Sequence, residues 1–363
     1  MNMKTCKWLL PLLFLIQACS KDDTTTTTPT PVNNPTTKGV YVLSEGSFSG
    51  NDTRFAYYDF AAGTINGDIF HSVNGSDLGG IGNDVIIYGT KMYIVMNVTS
   101  NVTVVDAATV TLIKKIDFKN GSVSKQPRYA VAAKGKVYVS SYDGTVSVID
   151  TASLTITKTI NVGSNPEGLT IVGNNLYVAN SGGLNFPSPP DSTVSVVDLT
   201  TETETKKITV GPNPVNVASN SAGDVYVTNY GIFGSVNPRI YVISSSTNTV
   251  KTMLDTALQY SHIRISNDTA YLFNNYGATT GGCRLFNTKT NTVVRNSFIT
   301  DGTAITNTYG VNVDETTGDV YITDAKDFTA SGEVFAFDRA GKKKFNFSVS
   351  PGVNPNTVAF LRK

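Results

Sequence analysis

One short phrase recurs along the chain: an apolar residue, a tyrosine, another apolar residue, then something small or polar. It reads "LYVAN" from Leu176, "VYVTN" from Val225, "VYVSS" from Val137 and "VYITD" from Val320. Aligned on this phrase, the tyrosines are Tyr41, Tyr93, Tyr138, Tyr177, Tyr226, Tyr271 and Tyr321, a period of roughly 40–50 residues. A repeat of that size is one supersecondary unit that cannot bury its own apolar faces and must stack against its copies. No other feature restricts the fold as strongly.

Each copy continues in the same way. A second apolar strand ends on an acidic or polar residue, as in "VTVVDA", "VSVIDT" and "VSVVDL". Asp59, Asp106, Asp150, Asp198 and Asp338 hold equivalent places, with Ser244 and Asn287 in the fifth and sixth copies. Such side chains open tight turns by accepting nearby backbone N–H groups. A polar-alternating strand follows ("TITKTINVG"), then a turn ("SNPEG"), then a strand leading back to the tyrosine ("GLTIVG"). Each unit thus contains four β-strands and no helix signal. The tyrosine strands are apolar at consecutive positions, as expected of strands buried on both faces, so the tyrosines read as packing between units. The first copy has no innermost strand before it, whereas "NPNTVAFL" (Asn354 to Leu361) is an innermost strand after which the chain stops. The expected fold is all-β: a seven-bladed β-propeller of four-stranded blades over 39–363, with the C-terminal strand completing the N-terminal blade and closing the ring. The phrase resembles the YVTN-type propeller repeat, which stands intact at Tyr226 to Asn229.

The N-terminal segment reads differently. Lys4 and Lys7 precede the short apolar run "WLLPLLFLI" and Cys19. A basic start, a short apolar stretch and a small-residue cleavage site make a secretory signal over 1–18, and the run is too short to span a bilayer as a helix. Its end resembles the lipobox of bacterial lipoproteins, which implies lipidation of Cys19. Residues 19–38, rich in Thr and Pro, read as a flexible tether. The "SKDD" after Cys19 resembles a signal for display on the outer face of the outer membrane. The expectation is a lipid-anchored outer-membrane protein facing the cell exterior, touching the membrane through its anchor only. With a net charge of +1 and 16% charged residues, against a usual value of about 25%, the chain has no basic field for nucleic acid. Of three cysteines, Cys283 alone would remain in the propeller, so no internal disulfide is expected.

Strand order assigns the loops to faces. With strands A to D running from axis to rim, the B–C and D–A connections share one face and the A–B and C–D turns the other. The long segments "SEGSFSGNDTR", "NSGGLNFPSPPDS" and "NYGIFGSVNPR" are B–C loops, and "HSVNGSDLGGIGND" is a long D–A loop. Rigid scaffolds carry function on such loops, so this face is the expected ligand face. Its candidate lining is Phe48, Tyr142, Asn180, Phe186, Tyr230, Phe233, Tyr276 and Tyr309, with Asp84, Arg128, Glu167, Asn216, His262 and Asn356 opening the innermost strands. Aromatics give flat contact area and amides fix orientation. Blades 2 and 3 have short B–C loops, which predicts a low rim there. Catalytic patterns are lacking: the two histidines, His71 and His262, stand far apart in sequence, and no zinc, thiol-redox or nucleophile-elbow motif occurs. The expectation is a binding protein rather than an enzyme, without cofactor or resident metal.

The stretches "YVLSEGSFSGNDTRFAYYD", "QPRYAVA" and "LYVANSGGLNFP", together with the lipobox and "SKDD", resemble the BtuG type of YncE-like surface propeller lipoproteins. That resemblance implies capture of a corrinoid (vitamin B12) and delivery to a TonB-dependent outer-membrane transporter. The alternatives are a propeller module binding another small molecule, a glycan, a peptide or a partner protein, and a carboxylate-based hydrolase or lyase.

Overall fold

The computed structural model describes residues 36–275 and 282–362. The signal segment, Cys19, nearly all of the tether, and Tyr276 lie outside the described residues. Among the described residues, seven four-stranded antiparallel sheets account for the propeller. The innermost strands of blades 2 to 7 are Gly82–Tyr88, Pro127–Ala133, Pro166–Val172, Pro214–Ser219, His262–Ser266 and Thr308–Val313. In blade 1 that place is taken by Pro355–Arg362, paired antiparallel with Thr37–Ser44, so that Tyr41 faces Ala359 and Val42 faces Val358. The expected ring closure is therefore present.

The core is a ring of seven clusters, each between neighbouring blades. One joins Tyr41 and Phe55 of blade 1 to Met92 and Ile94 of blade 2. Equivalent clusters join blades 2 and 3, 3 and 4, 4 and 5, 5 and 6, 6 and 7, and 7 and 1. This is why the tyrosine strands are apolar on both faces: each face packs against a different neighbour. Six of the seven repeat tyrosines are among the largest fully buried side chains. Tyr41 donates its hydroxyl to the Ala107 carbonyl in the next blade (2.8 Å) and Tyr226 to that of Thr288 (2.7 Å).

The aspartates after the third strands open turns as expected. Asp106 Oδ1 accepts the N–H groups of Ala108 (3.0 Å) and Thr109 (2.9 Å), and Asp150 and Asp198 repeat the pattern. Asn287 preserves it with Lys289 and Thr290, while Ser244 pairs with the Ser246 hydroxyl instead.

Two features depart from the sequence reading. A short helix, Ile69–Asn74, interrupts the first D–A connection; Asp68 caps it through the His71 N–H (3.2 Å) and Gly75, at φ 63°, ends it. D–A length is also more widespread than expected, at 118–126, 254–261 and 296–307. These loops carry the buried anchors Phe118, Leu258 and Phe298, whose apolar character reads as strand. The first holds a small hairpin, Lys119–Asn120 with Val123–Ser124, which stands on the loop face beside the short B–C loops of blades 2 and 3.

The inner edge of each propeller sheet borders the central channel and needs its backbone groups satisfied. Asp84 Oδ2 accepts the Ala130 N–H of the next blade (3.0 Å), and Asn216 Oδ1 accepts that of Ile263 (3.1 Å). Elsewhere the strands approach too closely for a side chain: a Cβ on Gly310 would lie 2.0 Å from the Asn356 carbonyl oxygen.

Candidate functional site: the channel mouth on the loop face

The innermost strands enclose a cavity of about 1090 Å³ that runs from Glu45, Tyr309 and Asn356 at one end to Asp106 and Arg362 at the other. This is slightly larger than ordinary ligand sites, roughly 300–1,000 Å³. The first end opens on the loop face, where three linked clusters form its mouth.

The first cluster centres on Arg128. Its Nε donates to Glu167 Oε2 (2.9 Å), another N–H bonds Asn83 Oδ1, and its guanidinium lies 4.7 Å from the Tyr142 ring centroid. Tyr142 donates its hydroxyl to Glu167 Oε1. Glu167 and Asn83 are buried. Burial, with the Glu167 charge next in weight, pushes the Tyr142 phenol well above its ordinary value, so Tyr142 stays a donor at any physiological pH.

The second cluster contains Glu45, which directly follows the Thr37–Ser44 strand. Its carboxylate accepts from the Tyr309 hydroxyl (2.7 Å) and from Asn356 Nδ2 (3.0 Å). Asn356 Nδ2 also reaches the carbonyls of Gly82 and Asn83. Burial raises the Glu45 pKa, the two hydrogen bonds opposing it.

The third cluster is aromatic. His262 lies edge-on to Tyr230 (5.9 Å between ring centroids) and tilted against Phe273 (5.3 Å). The Tyr230 hydroxyl donates to Asn275 Oδ1 (3.0 Å). Burial, helped by the nearby Arg128 charge, lowers the His262 pKa to about 4, so the imidazole is neutral at pH 7. Ser261 Oγ sits 3.0 Å from His262 Nδ1 but is buried and also bonded to Asn274, out of a substrate's reach.

Arg128, Tyr142, Glu167, Tyr230, His262, Tyr309 and Asn356, all singled out from sequence, thus meet at one mouth. Asp84 and Asn216 line the channel, where each also caps a strand edge. Phe48, Phe186 and Phe233 are loop tips on the same face, 94%, 91% and fully exposed. Asn180 is elsewhere. It is fully buried, accepting the Gly163 N–H (3.0 Å) and donating to Thr193 and Ser195. It ties the incoming D–A loop to its blade, as Asn274 and Asp324 do with Ser261 and Asn307.

Sequence reasoning missed Glu45 and Asn83, and also Tyr129, which lines the cavity with its ring centroid 5.6 Å from the Arg128 guanidinium. Glu45 was legible: counted four residues from the repeat tyrosine, it occupies the same place as Tyr142, Tyr230 and Asn275. Among the described residues no group of three or more His, Cys, Asp or Glu side chains is arranged to hold a metal ion. Cys283 is buried and its thiol is pushed well up by that burial, which removes it from nucleophilic chemistry.

Fold and site together define a seven-bladed β-propeller with a loop-bearing, polar channel mouth. The chain belongs to the family described as a domain of unknown function (DUF5074), which matches residues 38–360. No curated protein matches the sequence. Among solved structures it is similar to a quinonprotein alcohol dehydrogenase-like protein from Bacteroides thetaiotaomicron, with 16% identity and a TM-score of 0.62 over 90% of this chain and 79% of that one. It is also similar to the hydrazine synthase of Kuenenia stuttgartiensis, with 20% identity and a TM-score of 0.54 over 69% and 74% of the two chains. At such identities the likeness concerns the fold alone.

Proposed function

We propose that this protein is a non-enzymatic, lipid-anchored surface receptor that captures a corrinoid at the channel mouth and passes it to a TonB-dependent outer-membrane transporter. The observation that carries the reading is the preorganised mouth. Arg128, Glu167, Tyr142, Glu45, Tyr309 and Asn356 hold one another in place, so a ligand meets donors and acceptors already ordered, which lowers the entropic cost of binding. A corrinoid is a broad, flat macrocycle fringed with amides. The exposed phenylalanines on the same face can cover its apolar surfaces, while the mouth's polar groups meet the amides. The sequence resemblance to cobalamin-capturing propellers and the tether-like N-terminal segment support the same reading.

Calorimetric titration of the purified protein with cyanocobalamin tests it. Saturable binding at micromolar concentration or below is expected. Absence of saturable binding overturns the corrinoid reading, and a glycan, peptide or partner protein then becomes the ligand to seek on this face.

A further inference from the structure

Below the mouth, the channel is walled by the middle of each innermost strand. Strand register fixes one level of that wall, where residues face the repeat tyrosines across their ladders: Ile86 opposite Tyr93, Val131 opposite Tyr138, Ala218 opposite Tyr226. Most of this level is apolar or small. One sector differs: Arg264, opposite Tyr271, and Asn312, opposite Tyr321, occupy it on adjacent blades.

Arg264 is unlike the channel's other arginines. Arg128 is bound to Glu167 at the mouth (2.9 Å), and Arg362 to Asp314 at the far end (3.6 Å). Arg264 lines the cavity and is exposed within it. Among the described residues no hydrogen bond, ion pair or ring contact engages its guanidinium. The carboxylate on which its charge acts is already committed. Asp84, on which the Arg264 charge acts, gives its two oxygens to the N–H groups of Val85 (2.9 Å) and Ala130 (3.0 Å). At the same level Asn312 Nδ2 is a buried donor without a partner among the described residues. A guanidinium with its donors unspent, lining a concave cavity, offers oxyanions a charge-assisted, bidentate fork.

We propose that Arg264 forms an anion subsite inside the channel, receiving a phosphate or carboxylate carried by the ligand held at the mouth. The inference rests on the mouth being the ligand site. Under the corrinoid reading the group is the phosphodiester of the nucleotide loop, which complete cobalamin has and cobinamide lacks.

The test compares the wild type with Arg264→Lys and Arg264→Gln, substitutions at an unbonded side chain, with circular dichroism as a check on folding. Cyanocobalamin and dicyanocobinamide are titrated into each protein. The glutamine variant is expected to bind cyanocobalamin about tenfold more weakly, the loss of one charge-assisted contact. The lysine variant should fall between, and cobinamide affinity should be the same in all three. Where the corrinoids bind, equal changes for both, or none for either, overturn the subsite. A second arm uses no corrinoid: thermal midpoints are measured with inorganic phosphate, acetate and chloride at matched ionic strength. Phosphate or acetate should stabilise wild type more than the glutamine variant, and whichever does so identifies the anion. If neither corrinoid binds but this difference persists, the corrinoid reading fails and the subsite stands. If wild type and glutamine variant respond alike to every anion, the subsite is overturned whatever the corrinoids do.

Discussion

Asp84 and His262 border the same channel and respond to pH in opposite senses. Burial raises the Asp84 pKa from 3.8 to about 6, against the pull of the Ala130 and Val85 N–H groups. Its folded form therefore favours the proton. The stability it contributes is complete below about pH 4 and is lost as pH rises through about 6. His262 is lowered from 6.5 to about 4, so its contribution is complete above about pH 6.5 and is lost as pH falls through about 4. Across that window the two trends offset. Asp84→Asn keeps an oxygen for the Ala130 N–H, as Asn216 already provides for Ile263, and removes the charge. The variant should be more stable at pH 7 by about 1–2 kcal/mol and should lose stability more steeply on acidification from pH 6.5 to 4. Glu45, also raised, retains part of the opposing trend. Urea denaturation across the range measures this, and an unchanged profile would assign the titration to other groups. At this scale, position in the repeat is a better guide than residue type to which side chains lie at the channel mouth. Asn180 was selected for its amide, yet that amide is consumed in fastening a loop. Glu45 lay unmarked in a long loop although its repeat position matched Tyr142.

Among the elements, the innermost strands carry the heaviest constraint, because they are sheet edges packed around a narrow axis. Two solutions to edge exposure occur side by side: a polar side chain reaching to the next strand, at Asp84 and Asn216, or a glycine that lets the strands close up, at Gly168 and Gly310. Gly310→Ala would drive its Cβ to within 2.0 Å of the Asn356 carbonyl oxygen, so strands must separate at the blade 7 and blade 1 seam. A loss of about 2–3 kcal/mol is expected in chemical denaturation. Gly168→Ala, whose nearest contacts would be 3.0 Å away, should lose less. The strands were legible because each alternation or apolar run serves a burial pattern that repeats. The helix Ile69–Asn74 was not, because it is too short for a helical period to emerge and is set by its caps, Asp68 and Gly75. The D–A loops misled for a related reason: a single buried anchor such as Phe118 or Phe298 looks locally like strand.

For the whole molecule, stability resides in contacts between blades, so no blade is self-sufficient. The seam between blades 7 and 1 is reinforced by an aromatic stack: Tyr58 lies 4.5 Å from Phe347 and 5.5 Å from Phe345, ring centroid to centroid. A chain ended before Pro355 would lack the innermost strand of blade 1 and that strand's share of the contacts with blades 2 and 7. It should show a broadened thermal transition and rapid proteolysis in blades 1 and 7, while the intact protein unfolds sharply. An equally sharp transition in the truncated chain would show that closure contributes little. The ring was the most legible level of all, since seven phrases and one complementary pair of ends determine it. The channel's interior was the least, since a lone Arg264 in "HIRIS" carries no signal until the other six strands surround it.

The closing pair of strands also has a mechanical consequence. Thr37 and Arg362 are partners at the same end of an antiparallel ladder. Tension drawn between the two termini therefore falls first on that single rung, then on the next, and peels the ladder like a zip instead of loading its rungs together in shear. The joint that makes the ring rigid in solution is, along this one direction of pull, its weakest.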